Sequence, residues 1–153
     1  MSSRHETLFN IRYAVRVLER HATLWMRIGR TIKFLSLLGG TSALAALMTS
    51  NATLATVAGL FFAALQALEA TLNPSDASAC ARAQRLEYAH LLVREAQLDD
   101  AELASAYAAI SASDEVQVSL ALKEAAYNDV IDEKGLDQSA KYAHLKWQAS
   151  LSN

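Results

Sequence analysis

An uncharged stretch from Phe34 to Leu68 constrains this sequence more than any other feature. Its thirty-five residues include no acidic or basic side chain, and Lys33 and Glu69 close it on either side. An α-helix rises ~1.5 Å per residue, so ~20 apolar residues cross the ~30 Å hydrocarbon core of a bilayer. The stretch is therefore too long for one crossing and close to long enough for two.

The middle of this stretch, residues 49–53, consists mostly of Ser, Asn and Thr, which favour turns because their side chains bond nearby backbone. We therefore predict a helical hairpin with its tip near Asn51 and arms over about residues 30–48 and 53–72. A hairpin buried in a soluble all-helical bundle is the alternative, but most helices of a small bundle have a polar face and neither arm has one. A signal peptide is a further alternative, but its apolar core would lie within roughly the first 15–30 residues, whereas this stretch begins at Phe34.

The composition predicts an all-α chain. Alanine dominates, there are one Pro and five Gly, and no segment shows the pattern of a strand. A chain of 153 residues is expected to form one domain. Its predicted parts are an amphipathic basic helix over 6–29, a hairpin of two transmembrane helices over 30–72, and a cytoplasmic helical bundle over 76–153.

The N-terminal helix carries a heptad seam, an apolar stripe that is held over more than three repeats. Such a seam predicts packing against a partner helix and therefore offers a route to assembly. Its members are Leu8, Ile11, Val15, Leu18, Ala22, Trp25, Gly29 and Ile32.

A basic face lies beside this seam. Its residues are Arg12, Arg16, Arg20, Arg27, Arg30 and Lys33. Either the face is solvated, or it rests on anionic lipid head groups where the chain enters the bilayer. Seven basic and two acidic residues precede residue 34, whereas seven basic and fourteen acidic residues follow residue 68. Because cytoplasmic flanks carry the excess of Lys and Arg, both termini are predicted on the cytoplasmic side of a bacterial inner membrane.

Small residues recur at every fourth position of the second arm. A stripe of this kind lets helix backbones approach closely in lipid, either within one hairpin or between chains. The predicted packing residues are Ala55, Gly59, Ala63 and Ala67, with Gly39, Ala43 and Ala46 on the first arm. Gln66 and Glu69 lie one turn apart near the end of the hairpin, where they are candidates for a pore mouth, although Glu69 also suits an interfacial position.

Helix caps organise the rest of the chain. The predicted elements are a helix over 77–98 capped by Ser75 or Asp76, a shorter helix capped by Asp99-Asp100, a helix from Ser113-Asp114 to about Asp132 ended by Gly135, and a last helix over 137–151. The residues predicted to face inward are Leu86, Ala89, Val93 and Ala96, widened by Tyr88, Leu91 and Leu92, then Leu103, Tyr107 and Ile110, then Val116, Leu120, Tyr127 and Val130, and finally Ala140, Ala143 and Trp147.

The sequence offers no recognisable catalytic chemistry. It contains no Gly-rich phosphate loop, no Cys or His pair at metal-ligand spacing, and no nucleophile with a visible base. The net charge of −2 gives no general attraction to nucleic acid. We therefore expect no enzymatic activity, cofactor, metal or nucleic-acid partner.

The layout resembles the SLATT domains, a family of bacterial two-transmembrane effectors of antiphage conflict systems. The resemblance covers about residues 8 to 131. It is carried by Arg12-Tyr13, Arg16 and Trp25 before the hairpin, by Arg85, Tyr88 and Leu92 after it, and by the segment Ala125-Ala126-Tyr127-Asn128-Asp129. It implies an oligomeric membrane pore that disrupts the host membrane when a partner, or the last helix, triggers it.

The leading hypothesis is therefore an oligomeric inner-membrane protein that acts as a pore-forming effector. It would assemble through the heptad seam and the small-residue stripes, with membrane lipids, copies of itself and a sensor protein as partners. A phage holin-like or virion-associated membrane protein is an alternative, although small holins often carry their charge cluster at the C-terminus. A second alternative is a soluble helical scaffold, whose apolar hairpin is buried by oligomerisation.

Overall fold

A computed structural model describes residues 4–39, 52–114 and 116–135, and over these ranges the chain is all-α, without a strand. The elements are α1 (Arg4–Gly39), α2 (Ala52–Leu72), α3 (Pro74–Val93), a 3-10 turn (Glu95–Gln97), α4 (Asp100–Ala112) and α5 (Leu120–Lys134). Across these ranges, no helix combines the length and the apolar character needed to cross a membrane.

The chain divides into two compact units. One, the hairpin unit, is Trp25–Asp76 and contains the second part of α1 together with α2. The other, the bundle unit, joins residues 4–24 of α1 to α3, α4 and α5. The predicted second arm, 53–72, is confirmed almost to the residue by α2, whereas the predicted tip and the residues from 40 to 51 lie outside the described part.

The core of the bundle unit is built on the heptad seam of α1. Its fully buried residues come from α1, α3 and α4, and they are Ile11, Leu18, Ala22, Ala81, Tyr88, Leu91 and Leu103. Burial, together with nearby Asp114, raises the pKa of Tyr88 to about 12. The seam therefore does pack on partner helices as predicted, but these helices belong to the same chain. The buried seam residues Ile11, Leu18 and Ala22 are already covered within the bundle unit, and assembly between chains through the seam stays a prediction.

Two predicted caps are confirmed. Asp99 caps α4: its Oδ1 accepts from the backbone N of Glu102 (2.7 Å), and Glu102 Oε2 accepts from the backbone N of Asp99 (3.0 Å). This reciprocal pair satisfies two amide groups that would otherwise lack partners at a helix start. Gly135 ends α5 in the left-handed conformation (φ 61°), as the αL cap requires.

Two other helix starts were predicted wrongly. α3 begins at Pro74, directly after Asn73 (φ 40°), rather than at residue 77. Proline suits this first position because its fixed φ is helical and its missing N–H leaves no donor unpaired. α5 begins after Ser119, six residues later than predicted. The predicted last helix, 137–151, lies outside the described residues.

The start of α1 is tied to the connection between α3 and α4. Arg4 Nη1 donates to the carbonyl of Leu98 (3.0 Å) and to Asp100 Oδ1 (2.9 Å), and Nη2 donates to the carbonyl of Glu95. The guanidinium of Arg4 thus satisfies two loop carbonyls at once, which fixes the N-terminal start of α1 against the loop.

Candidate functional site

The hairpin unit exposes an unusual amount of large apolar side chain. Eight such residues, from both of its helices, are between 38% and 72% exposed, compared with three in the described bundle unit, Leu86, Val93 and Leu120. We call the eight residues the apolar surface; they are Phe34, Leu37, Leu38, Val57, Leu60, Phe61, Leu68 and Leu72. Scattered apolar residues are normal on a protein surface, but a concentration of this kind marks a region that binds another apolar surface.

Only one narrow face of α2 is covered within its own chain. Phe62, Leu65 and Glu69 are half-buried, at the spacing of three and four residues that defines one side of a helix. The other described side chains of α2 are exposed, including Leu60 and Phe61 on the opposite faces. A helix that is apolar all round is normally covered all round, by protein or by lipid. Most of the described side chains of α2 are exposed.

The small-residue stripe is not used for packing within the chain where the structure describes it. Gly59, Ala63 and Ala67 are all exposed, and a Cβ added to Gly59 would have no heavy atom within 4 Å. At these three positions no packing on the described residues is seen, and both interpretations of the stripe stay predictions, because residues 40–51 of the first arm lie outside the described part. The surroundings of Ala55 and Gly39, and the residues Ala43 and Ala46, lie outside the described part.

The two candidates for a pore mouth lie near the end of α2. Gln66 is exposed, whereas Glu69 lies half-buried on the covered face with Leu65. The carbonyl of Glu69 accepts from the backbone N of Asn73 (3.0 Å) at the turn that follows α2. The two side chains are neighbours on the helix surface, but Gln66 is exposed whereas Glu69 is half-buried.

Two residues of the predicted basic face have a role that neither of its interpretations included. Arg20 and Asp129 form a bidentate pair, in which Nε donates to Oδ2 (2.6 Å) and Nη2 to Oδ1 (2.8 Å). One turn earlier, Arg16 Nη2 donates to Glu133 Oε2 (3.1 Å), and this hydrogen bond is the main cause that raises the pKa of Arg16. The two pairs clamp α5 antiparallel to α1, so these two charges are compensated within the bundle unit.

The other basic residues are more accessible. Arg27, Arg30 and Lys33 are exposed in the hairpin unit, next to the start of the apolar surface. Arg12 is half-buried and borders a cavity of about 350 Å³. The cavity is lined by Arg12, Val15, Arg16, Leu92, Glu95 and Glu133. Arg27, Arg30 and Lys33 are thus exposed beside the apolar surface, whereas Arg16 and Arg20 are engaged in ion pairs with α5.

We predict that the two ion pairs differ in strength. The side chains of Arg20 and Asp129 are 12% and 34% exposed, whereas those of Arg16 and Glu133 are 43% and 47% exposed. A bidentate, partly desolvated pair should contribute about 1–2 kcal/mol of coupling, and an exposed pair less than ~0.5 kcal/mol. Double-mutant cycles to alanine, read from chemical unfolding, measure both couplings. Equal couplings would show that burial does not distinguish the pairs.

Neither acidic partner was identified from the sequence, although a signal was present. Asp129 and Glu133 are spaced by four, as are Arg16 and Arg20, so one face of each helix can offer two charges at the same spacing. The antiparallel order of the two pairs is given by the structure. Within the described ranges, no group of three His, Cys, Asp or Glu side chains is placed to hold a metal ion.

Comparisons of the chain with protein-family models, with curated proteins and with solved structures found no match. The resemblance to the SLATT domains therefore remains a prediction.

Proposed function

We propose that this protein is a non-enzymatic, oligomeric membrane protein and that it acts as a pore-forming effector, triggered by a partner. The observation that carries the proposal is the apolar surface of the hairpin unit. Fully burying one large aliphatic or aromatic side chain contributes about 1.5–3 kcal/mol, so covering eight partly exposed ones is worth on the order of 10 kcal/mol. A driving force of this size favours a cover of lipid, of further copies of the chain, or of both.

The charges around the apolar surface support a defined orientation. Arg27, Arg30 and Lys33 lie exposed immediately before it, and the uncharged run continues from there to residue 68. Cations near the end of an inserted segment stay on the cytoplasmic side and meet anionic lipid. We therefore place the bundle unit and both termini in the cytoplasm of a bacterial cell.

Assembly would supply the pore. Gly59, Ala63 and Ala67 are exposed among the described residues, and their flat stripe could receive a helix of another copy. A ring of hairpins joined in this way would repeat Gln66 and Glu69 around one axis. Carboxylates repeated in a ring attract cations, so a cation-preferring pore is expected.

A soluble scaffold is the second candidate, because protein can cover the same apolar surface as well as lipid can. In that case copies of the hairpin unit would bury it against one another, and the chain would assemble in water. The two candidates share an oligomer and differ in whether lipid is one of its contacts.

Fractionation of expressing cells separates these candidates. If the hairpin unit is inserted, the chain stays with membranes after washes in high salt and in alkaline carbonate, and only detergent releases it. Purified protein reconstituted into dye-loaded vesicles should then release the dye. Release of the chain by the washes would favour the scaffold. An intact oligomer in vesicles without leakage at any protein density would reject a constitutive pore.

The same vesicles test the role of Glu69. Glu69→Gln removes the carboxylate but keeps the size of the side chain, so leakage should persist while the preference for cations falls. Reversal potentials in planar bilayers measure that preference. Glu87→Gln, an exposed position of α3, is the matched control and should not change it. Unchanged selectivity in Glu69→Gln would remove Glu69 from the pore mouth.

A further inference from the structure

A small cavity of about 40 Å³ lies between the first turns of α1 and the end of α5 in the bundle unit. We call it the cationic cavity; its lining is His5, Leu8, Phe9, Arg12 and Lys134. A water molecule needs about 10–15 Å³ of such space, so the cavity holds about three waters or one anion of the size of phosphate. No acidic residue of the described ranges lines it.

The two helices bring the cationic side chains to one place. His5, Leu8 and Arg12 follow one another by three and four residues, so they lie along one face of α1. Lys134 belongs to the last turn of α5, which runs antiparallel to α1 and therefore ends beside this face. Leu8 and Phe9 form an apolar wall, next to which charges are screened less than in water.

Arg12 differs from the other arginines of α1 in the bundle unit. Arg4, Arg16 and Arg20 each donate to a carboxylate, at distances from 2.6 to 3.1 Å. Arg12 is half-buried and forms no hydrogen bond or ion pair with a described residue. A guanidinium that gives up part of its water without gaining an acidic partner loses free energy, so a bound anion would restore what Arg12 lacks.

The other two cations of the cavity have no acidic partner among the described residues either. His5 and Lys134 are exposed, and neither forms a hydrogen bond or an ion pair there. The end of a helix favours a cation, which accounts for Lys134 in the last turn of α5. The first turn of a helix instead disfavours a cation and favours an anion, so the position of His5 in α1 needs another reason.

Two larger cavities of the bundle unit are balanced in charge. The lining of the one of about 350 Å³ has two arginines and two glutamates, and the lining of a groove of about 340 Å³ has Lys123 and Glu124. The cationic cavity instead carries two permanent positive charges, from Arg12 and Lys134, and a third when His5 is protonated. Its charge therefore selects an anion over a neutral ligand.

We propose that the cationic cavity binds a phosphate group. The planar guanidinium of Arg12 fits two phosphate oxygens, while Lys134 adds a compact charge and His5 a further donor. A carboxylate has only two oxygens and one charge, whereas a phosphate can meet all three side chains. The source of the group is either a soluble phosphate compound or the head group of a lipid. The site depends on the bundle unit alone and stands whether or not the hairpin unit enters lipid.

Chemical modification of arginine tests the proposal on the full purified chain. Phenylglyoxal modifies accessible arginines, and peptide mass spectrometry measures the rate at each position. Inorganic phosphate, compared with chloride at equal ionic strength, should slow the modification of Arg12 by about tenfold at ten times the dissociation constant. Arg94, an exposed arginine of the bundle unit outside the cavity, is the internal control and should react at an unchanged rate.

A second arm of the experiment supplies the phosphate group on a lipid. The chain is reconstituted into phosphatidylcholine vesicles with or without phosphatidic acid, in buffer free of phosphate. Protection of Arg12 by inorganic phosphate supports the proposal with a soluble source, and protection by phosphatidic acid alone supports it with a lipid source. An unchanged rate at Arg12 in both arms would overturn it.

Two lysines of α5 separate binding in the cavity from a general attraction of anions. Lys134→Gln should weaken phosphate binding about fivefold, which corresponds to one charge at ~4 Å in water. Lys123→Gln removes the same charge from an exposed position of the same helix, outside the cavity, and should leave the protection of Arg12 unchanged. If both variants are folded by circular dichroism and weaken binding equally, phosphate is attracted by net charge alone, which contradicts the proposal.

Discussion

Ala63→Arg is expected to remove the protein from the membrane and to abolish any growth arrest that its overexpression causes. Ala63 lies near the middle of α2 and is exposed, so an arginine there can be accommodated by the described part of the chain. A charge facing lipid at the middle of a bilayer costs on the order of 3 kcal/mol or more. The bundle unit should still fold, because its core does not include this position.

Ala70→Arg is the matched control for this prediction. It adds the same charge to another exposed alanine of α2, but close to the C-terminal end of the helix. An arginine there can extend its guanidinium into the head groups, so membrane retention should be kept. Cell fractionation and growth curves measure both effects. Retention and arrest in Ala63→Arg equal to those of the original chain would show that the middle of α2 does not face lipid.

Local signals explain why part of the fold was predictable from sequence. The second arm of the hairpin, the cap at Asp99 and the end of α5 at Gly135 each depend on neighbouring residues only. The second arm follows from the uncharged run that Glu69 closes, whereas a carboxylate three residues before Glu102 and a glycine at a left-handed position act within one turn of helix. Tertiary packing does not need to be known for any of them.

Ser113-Asp114 shows how the same kind of signal can mislead. The pair was predicted to start the next helix, yet Asp114 Oδ1 accepts from the backbone N of Val116 (3.0 Å) and α5 begins only after Ser119. A carboxylate that bonds the amide two residues ahead stabilises a turn as well as it stabilises a helix start. The choice between the two is made by what packs on the residues that follow.

Alanine explains the errors in the buried faces. Leu86 and Val93 were predicted to face inward on α3 but are 56% and 79% exposed, while Ala81 is fully buried. On α5, Ala125 and Ala126 are buried although Leu120 is not. Where alanine packs helices closely, large apolar residues no longer mark the buried face. The helical periodicity of those residues then does not show which side of the helix is buried.

Some features of the candidate site are likewise visible in the sequence, whereas others depend on the fold. That the hairpin is apolar and uncharged is visible in the sequence, and so is the stripe of small residues. That Arg16 and Arg20 pair with α5, while Arg27 and Lys33 stay exposed, depends on which helices become neighbours. The basic residues are therefore recognisable in the sequence as a set, but only the fold separates those paired with α5 from those exposed beside the apolar surface.

The contact between copies is most directly tested at Gly59. We expect Gly59→Leu to convert the oligomer in detergent to the single chain while membrane insertion is kept. A leucine at this position has open space in its own chain, so the isolated copy should accept it without strain. In an assembly that packs backbones closely, the same side chain would hold two helices apart.

Gly59→Ala is the control that separates the effect of side-chain size from the effect of helix propensity. Both substitutions favour the helix over glycine, by about 1 kcal/mol for alanine, but only leucine is too large for a small-residue contact. The alanine variant should therefore keep the oligomer that the leucine variant loses, as measured by light scattering after size exclusion in detergent. An oligomer of unchanged size in Gly59→Leu would show that this stripe faces lipid. Because Gly59→Leu should lose assembly but keep insertion, whereas Ala63→Arg should lose insertion, the two variants together decide whether growth arrest requires the assembled form.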